Sequence, residues 1–173
     1  RTYDNNELVK TTDAYGRAVY YVYDDATGYR IRTIREAVPD AVTSELGIAA
    51  GTLPTQAQLG AMDRDATANA TFAVSDVEHD AVGHPTRSID PRGIVSTSTY
   101  DSRGRTTESV TAAAKLDAQG GETAITDSKV KAITKRYYDD VGNVTRVENP
   151  RYFDSADSNG YQKDYVTLAY TRR

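Results

Sequence analysis

Two histidines, His79 and His84, are the side chains in this sequence best suited to act as a general base or to bind a transition metal. They lie five residues apart, on opposite sides of a predicted turn, and a metal site would need further ligands at matched geometry. The chain has no Cys, which excludes a disulfide framework, a thiolate metal site and a Cys nucleophile. No phosphate-binding loop, nucleophile elbow or zinc signature is present. We therefore expect structural roles for both histidines, no cofactor and no metal.

The aspartates could suggest calcium binding, but the spaced ligands and terminal Glu of a calcium loop are absent. They fall instead into the pattern Asp-x-x-Gly, which accounts for eight of the twelve glycines. Asp at the first position and Gly at the fourth favour a type I turn, in which the carboxylate accepts hydrogen bonds from backbone amides and Gly adopts a positive φ. The pattern begins at Asp13, Asp25, Asp80, Asp90, Asp101, Asp117, Asp139 and Asp157.

Tyr-Asp pairs precede several of these turns. Three of the four pairs continue into a Gly, and a fifth copy has His79 in place of the Tyr. In a hairpin, such a turn with Gly at positive φ makes a three-residue loop with a β-bulge. The predicted structural repeat residues are Tyr3, Asp4, Asp13, Gly16, Tyr23, Asp24, Gly28, Asp80, Gly83, Asp90, Gly93, Tyr100, Asp101, Gly104, Tyr138, Asp139 and Gly142.

The stretches between the turns have the composition of β-strands. They are rich in Tyr, Val, Ile and Thr, and the turns at Asp80, Asp90 and Asp101 leave about six residues for each strand. The predicted strands cover residues 17–23, 94–100, 105–111, 131–138 and 165–170. The sequence therefore predicts an all-β fold of repeated antiparallel hairpins, with a unit of about 20 residues.

Two insertions interrupt the array, and we treat residues 1–173 as a single repeat segment. Residues 36–70 are Ala-rich and are expected to hold one short helix. Residues 112–130 predict an extended hairpin tip or a long loop. Neither insertion has enough large apolar residues to bury a core as a separate domain.

Composition limits the partners of the chain. Apolar residues make up 38 %, and 13 Tyr stand against 2 Phe and no Trp. A formal net charge of −4 and a pI near 5.2 argue against nucleic acid and anionic membranes as partners. No apolar run is long enough for a transmembrane helix. The sequence opens on Arg1 without an initiator Met or a signal-peptide pattern, so we expect a piece of a longer protein whose targeting signal lies elsewhere.

The Tyr-Asp-x-x-Gly-Arg units and their Asp-x-x-Gly partners resemble the YD-repeat, or RHS (rearrangement hotspot), family. The resemblance extends over residues 3–35, 78–111 and 135–170. Glu7 stands where the first unit should have Gly, and Asn149-Pro150-Arg151-Tyr152 stands where a final Asp-x-x-Gly is expected. In this family, aspartyl self-cleavage is expected at a motif similar to residues 90–93. Here that motif lies within the array without the family's core context, so we expect no self-cleavage.

The resemblance implies hairpins that spiral into an elongated curved sheet or hollow β-shell. Its relatives include shell components of toxin complexes, polymorphic toxins, bacterial wall-associated proteins and teneurins. It implies a secreted or cell-surface, non-enzymatic protein in which neighbouring repeats are the partners of this segment and a toxin or other C-terminal cargo is enclosed. An adhesive, carbohydrate-binding or matrix-forming module is the alternative.

The low apolar content supports an open sheet with at least one wet face, and a compact sandwich is the competing architecture. For the sheet we expect destabilisation by Val at Gly104 or Gly142 but less at Gly121. We also expect a buried tyrosine ladder through Tyr100 and Tyr138, with Tyr15 and Tyr161 less important. Because open strand edges pair with other strands, the isolated chain is expected to self-associate.

Overall fold

The computed structural model of the chain describes residues 1–63, 71–117, 120–126, 131–150 and 163–167. These residues form twelve β-strands and two short helices. The chain divides into two compact units, residues 1–83 with 88–93 and residues 84–87 with 94–173. All described strand pairs are antiparallel. They join strands that are consecutive in the chain, except for one pair whose strands are separated by a single short strand. This arrangement confirms the predicted all-β class of repeated hairpins.

Five strands form the sheet of the first unit. Each pairs with the next in chain order, which is the meander that short turns between strands favour. The strands are β1 (Thr2–Asp4), β2 (Glu7–Thr12), β3 (Ala18–Tyr23), β4 (Arg30–Glu36) and β5 (Phe72–His79). Along β3, Ala18, Tyr20 and Val22 are buried and the residues between them are half-buried, so one face of the sheet carries the core.

The insertion between β4 and β5 forms two helices, where the sequence predicted one. They are α1 (Ala41–Glu45) and α2 (Gln56–Ala61). Thr55 and Gln58 form a capping box that fixes the start of α2. The apolar residues of the insertion join the inner face of the sheet in one core. That core contains Ala18, Tyr20, Val22, Ile34, Ala41, Val42, Leu59, Met62, Phe72 and Val74.

Two charged residues of β4 attach the insertion to the sheet. Glu36 is buried, and its two carboxylate oxygens accept hydrogen bonds from the backbone amides of Ala18 (2.8 Å) and Val42 (3.0 Å). The Arg32 guanidinium donates to Asp76 (2.6 Å), and its Nη1 donates to three backbone carbonyls at the end of α2, those of Leu59, Gly60 and Met62. The insertion has too few apolar residues to form a core alone. These polar contacts hold it against the sheet, where its apolar residues complete the core of the first unit.

The second unit contains the strands β7 (Ile94–Tyr100), β8 (Thr106–Leu116), β9 (Glu122–Ala124), β10 (Ala132–Tyr138), β11 (Val144–Pro150) and β12 (Lys163–Thr167), while β6 (Pro85–Ile89) is divided between the two units. The eleven-residue β8 pairs with β10 through its first half and with β9 through its second half. Of the two alternatives predicted for residues 112–130, this pairing favours the extended hairpin, while residues 118–119 and 127–130 lie outside the described part. Of the predicted strand 165–170, residues 168–170 lie outside the described part.

The described residues include no helix long and apolar enough to cross a membrane, since α1 and α2 have five and six residues.

Candidate functional site

Four of the Asp-x-x-Gly turns close with a pair of backbone hydrogen bonds. In the turn at Asp101, the amide of Asp101 donates to the carbonyl of Arg105 (3.0 Å) and the amide of Gly104 donates to the carbonyl of Asp101 (3.0 Å). Gly104 has a φ of +74°, and the strand pairing slips by one residue beside Tyr100. This is a three-residue loop with a bulge, as the sequence predicts. The same two bonds close the turns at Asp13, Asp117 and Asp139.

The Asp carboxylate and the residue after Gly form one unit. Oδ1 of Asp101 accepts from the amides of Arg103 (2.9 Å) and Arg105 (3.0 Å), while Oδ2 accepts from Nε of Arg105 (2.6 Å). Asp13 with Arg17 repeats the arrangement, and at Asp139 the side chain of Asn143 takes the place of Arg. The sequence pattern contains this residue but did not predict its role, although a side-chain donor follows the Gly in all three turns.

These hydrogen bonds lower the pKa of the turn carboxyl groups. For Asp101 the backbone amide of Arg105 has the largest effect and lowers the pKa, and this outweighs the raising effect of burial. For Asp139 the side chain of Asn143 is the first cause of the lowered pKa. The carboxylates therefore act as ionised acceptors within the turns.

Two tips differ from this geometry. The loop at residues 24–28 is one residue longer than Asp-x-x-Gly. The Asp24 carboxylate, and not that of Asp25, accepts hydrogen bonds from the amide and the hydroxyl of Thr27. At the first tip Asn5 and Asn6 both have positive φ, which makes the two-residue hairpin turn that Asn and Gly favour. Because these two asparagines supply the positive φ values of the turn, the first unit needs no Gly at the position of Glu7.

The tyrosines before the turns connect neighbouring strands. The hydroxyl of Tyr138 donates to the carbonyl of Thr106 (2.8 Å), on the strand that follows the previous turn. Tyr100 donates likewise to Pro85 (2.9 Å) and Tyr23 donates to Leu8 (2.9 Å). Tyr100 and Tyr138 are half-buried rather than fully buried, whereas Tyr15 is 79 % exposed and Tyr161 lies outside the described residues.

At four turns, the residue that follows the turn packs on a later turn of the same unit. We call Glu7, Tyr29, His84 and Arg105 the ladder residues. The ring of His84 stacks on Tyr100 at 4.7 Å, and the guanidinium of Arg105 lies 4.3 Å from the ring centre of Tyr138.

The ladder residues also lie over the turn glycines. A Cβ added at Gly104 would be 2.6 Å from Nε2 of His84, and one added at Gly83 would be 2.7 Å from Cζ of Tyr29. At Gly142 the nearest atom is Nη1 of Arg105, at 3.4 Å. Glycine thus supplies both the positive φ of its own turn and the space for the preceding ladder residue.

Both histidines belong to this edge. His79 occupies a repeat Tyr position and lies 5.3 Å from Tyr29 between ring centres, while His84 is a ladder residue. The described part of the chain contains no cluster of three or more His, Asp or Glu side chains that could hold a metal ion. The arrangement supports packing between hairpins.

A cavity of about 490 Å³ lies beside the loop at residues 24–28 in the first unit. Its walls include Ile31, Ile89 and Tyr29, and its charged lining includes Arg32 and Asp76, which are already bound to each other. Within this lining the hydroxyl of Thr27 donates to the Asp24 carboxylate (2.7 Å), a bond that belongs to the loop at residues 24–28.

Comparison with known proteins identifies the repeat. Residues 79–115, roughly a fifth of the chain, match the RHS Repeat family model, which confirms the family resemblance over that stretch. No curated protein matches the sequence. A chain in the structure of the Photorhabdus luminescens Tc holotoxin pore is similar, with 16 % identity and a TM-score of 0.39 over 91 % of this chain. This chain spans 8 % of the length of that one, and superposition at this level does not establish a common fold.

Proposed function

We propose that this chain, which carries an RHS repeat at residues 79–115, is a non-catalytic structural segment of a larger secreted or surface RHS/YD-repeat protein. In this proposal its hairpins form part of a β-shell that encloses a toxin or other C-terminal cargo. The observation that carries it is the ladder. Each ladder residue packs on the glycine of a later turn. At three of these steps, the Tyr before that later turn donates its hydroxyl to the backbone carbonyl of the residue after the ladder residue.

Such an edge suits a wall built from many similar parts. Each step joins one hairpin to its neighbour, so stability is distributed over nearest-neighbour contacts and the array can extend by adding units. A single two-stranded hairpin is at best marginally stable in water, so the contacts between hairpins are needed for folding.

The sheet of the second unit also supports a wall with a wet face. Lys135 of β10 pairs with Glu108 of β8 (3.0 Å), and the hydroxyl of Tyr137 donates to Glu148 of β11 (2.9 Å). Lys135 and Tyr137 are exposed on the same face. A face of paired charges is compatible with a water-filled interior, because it offers unfolded cargo few apolar contacts.

The proposal is tested on the full-length parent protein by limited proteolysis of the segment that follows the repeats. Enclosure predicts that this segment resists protease in the intact protein and becomes sensitive when the double variant Arg105→Ala, Tyr138→Ala opens one ladder step. A Tyr15→Phe variant is the matched control and should leave the resistance unchanged. Equal digestion in the unaltered and double-variant proteins would contradict enclosure, and surface binding of glycans or cells by such a protein would favour the adhesive module.

A further inference from the structure

The cavity of the first unit has the size and the lining of a site for a small molecule. Its volume of about 490 Å³ lies within the range of pockets that hold small ligands. The apolar part of the lining includes Val22, Ile31 and Ile89. The rings of Tyr29 and His79 also line it and lie 5.3 Å apart between their centres. These residues all belong to the first unit, so one compact part of the chain forms the cavity.

The charged part of the lining is negative. Arg32 pairs with Asp76 at 2.6 Å, and Nη1 of Arg32 donates to three backbone carbonyls, so this guanidinium is already engaged. Three further carboxylates line the cavity, those of Asp24, Glu78 and Asp80. Carboxylates on the wall of a concave surface concentrate negative potential there, so the cavity favours a cation over an anion.

The carboxylate of Asp24 is held in its ionised form at this cavity. The side chain of Thr27 is the first cause of the lowered pKa of Asp24, and the amide of Thr27 acts in the same direction. Both hydrogen bonds from Thr27 are accepted by Oδ1 of Asp24. Because each carboxylate oxygen has two lone pairs, Oδ2 can accept a charge-assisted hydrogen bond from a bound cation.

His79 gives an independent sign of a ligand. Within the described lining, its Nδ1 is the one buried side-chain polar atom without a hydrogen-bond partner. Buried polar groups are nearly always paired in folded proteins, and an exception marks strain, catalysis or a place for a bound group. In the neutral tautomer that carries its proton on Nε2, Nδ1 is an acceptor that an N–H donor satisfies.

We propose that this cavity binds an organic cation, namely a guanidinium or primary ammonium group on an apolar stem. The stem packs on the apolar lining, and the cationic group lies against the ring of Tyr29. Its N–H groups donate to the carboxylate of Asp24, and a small rotation of the His79 ring brings the buried Nδ1 to the same donors. Such a cation is the side chain of Arg or Lys in a peptide, or a free alkyl guanidine or amine. This binding function goes beyond the structural role proposed for the repeats.

Ligand-observed NMR with the full 173-residue chain measures this binding, because broadening of a small molecule's lines is detected whatever the size of the protein. The probes are n-butylguanidinium and n-butylammonium, with n-butanol and butyrate as the neutral and anionic controls. Both cations should bind with dissociation constants of about 1–10 mM, as expected for ligands of this size. The two controls should bind at least about tenfold more weakly, because they lack the positive charge.

Three variants assign the binding to this cavity. Asp24→Asn keeps an acceptor oxygen for Thr27 but removes the charge, so both cations should bind at least about threefold more weakly. Glu78→Gln, at an exposed position of the lining, should weaken binding without altering the loop. Asp13→Asn is the matched control and should leave the affinity unchanged, because Asp13 is a turn carboxylate of the same unit that lies outside this lining.

A blocked tripeptide with one arginine between two glycines distinguishes the two sources of the cation. A dissociation constant within about tenfold of that of n-butylguanidinium supports the proposal with a peptide side chain as the ligand. Weaker binding of the tripeptide, with n-butylguanidinium still bound, supports the proposal with a free small cation as the ligand.

Three results would overturn the proposal. The first is equal affinity for n-butylguanidinium and n-butanol, and the second is affinity for the cations that neither Asp24→Asn nor Glu78→Gln changes. The third is an equal loss of affinity in Asp13→Asn, because the cations would then respond to the net charge of the chain and not to this cavity. The measurement does not involve cargo, so its failure is distinguishable from failure of the protease test of enclosure.

Discussion

The double role of the turn glycine gives a prediction that separates backbone strain from packing. Gly104 and Gly120 have similar φ values of +74° and +80°. A Cβ at Gly120 would meet nothing within 4 Å, whereas one at Gly104 would lie 2.6 Å from Nε2 of His84. Gly120→Ala should therefore cost only the left-handed backbone penalty of roughly 1–2 kcal/mol. Gly104→Ala should cost about 0.5–1.5 kcal/mol more, because His84 must leave its stack on Tyr100.

The assay is urea unfolding of the two variants, followed by circular dichroism. In the background of His84→Ala the imidazole ring is absent, so the free-energy cost of Gly104→Ala should fall to that of Gly120→Ala. This double-mutant cycle isolates the packing contribution. Gly60→Ala is the control: Gly60 lies in α2 without a positive φ and with nothing near its added Cβ, so Ala should stabilise by about 0.5–1 kcal/mol. Equal costs at Gly104 and Gly120 would refute the packing role. The earlier expectation for Gly121 changes, because Gly121 follows the turn glycine and its Cβ would lie 2.5 Å from the Asp117 carboxylate.

Three other outcomes are expected. Tyr138→Phe should lower the free energy of unfolding by about 1 kcal/mol through loss of its hydroxyl hydrogen bond to a strand carbonyl, whereas Tyr15→Phe should have no effect in the same urea titration. Glu36→Gln should lower the free energy of unfolding by about 1–3 kcal/mol, because an amide side chain has one acceptor oxygen for two buried backbone amides. Thermal unfolding measures this loss, and Glu45→Gln, at an exposed position, is the control. The lowered pKa values of the turn carboxyl groups mean that their stabilisation is fully present above the ordinary value of 3.8 and is lost as pH falls through the lowered values. Urea midpoints measured from about pH 6 to about pH 2.5 should therefore fall at the acid end, and the fall should be smaller in Asp101→Asn; an unchanged acid profile in that variant would contradict the assignment.

The turns could be predicted from sequence because their chemistry is local. Asp at the first position and Gly at the fourth specify a carboxylate acceptor and a positive φ within one loop, and both are found at Asp101 and Gly104. The error at Asp25 has a local cause too. Two aspartates in succession allow two loop lengths, and the longer one is adopted because Thr27 donates its amide and hydroxyl to Asp24.

The insertion of the first unit could not be predicted in the same way. Its four apolar core residues are too few to indicate a core, and their burial depends on the inner face of a sheet formed by residues far along the chain. Glu36 and Arg32 carried no sequence signal, since a charged residue within a strand is usually exposed. Their roles depend on the amide of Val42 and the end of α2, which only the folded chain brings near β4.

The ladder makes a local motif into a contact between hairpins. Gly104 is required by its own turn, yet the side chain that fills the space above it comes from His84, twenty residues earlier. Because His84 also stacks on Tyr100, one ladder residue contacts two positions of the next repeat, the residue before the turn and the glycine within it. A change in the ladder residue therefore alters the environment of the following turn without touching that turn's own hydrogen bonds. Neighbouring repeats must then be matched to one another, and the spacing of Tyr, Asp and Gly in the motif preserves that match along an array.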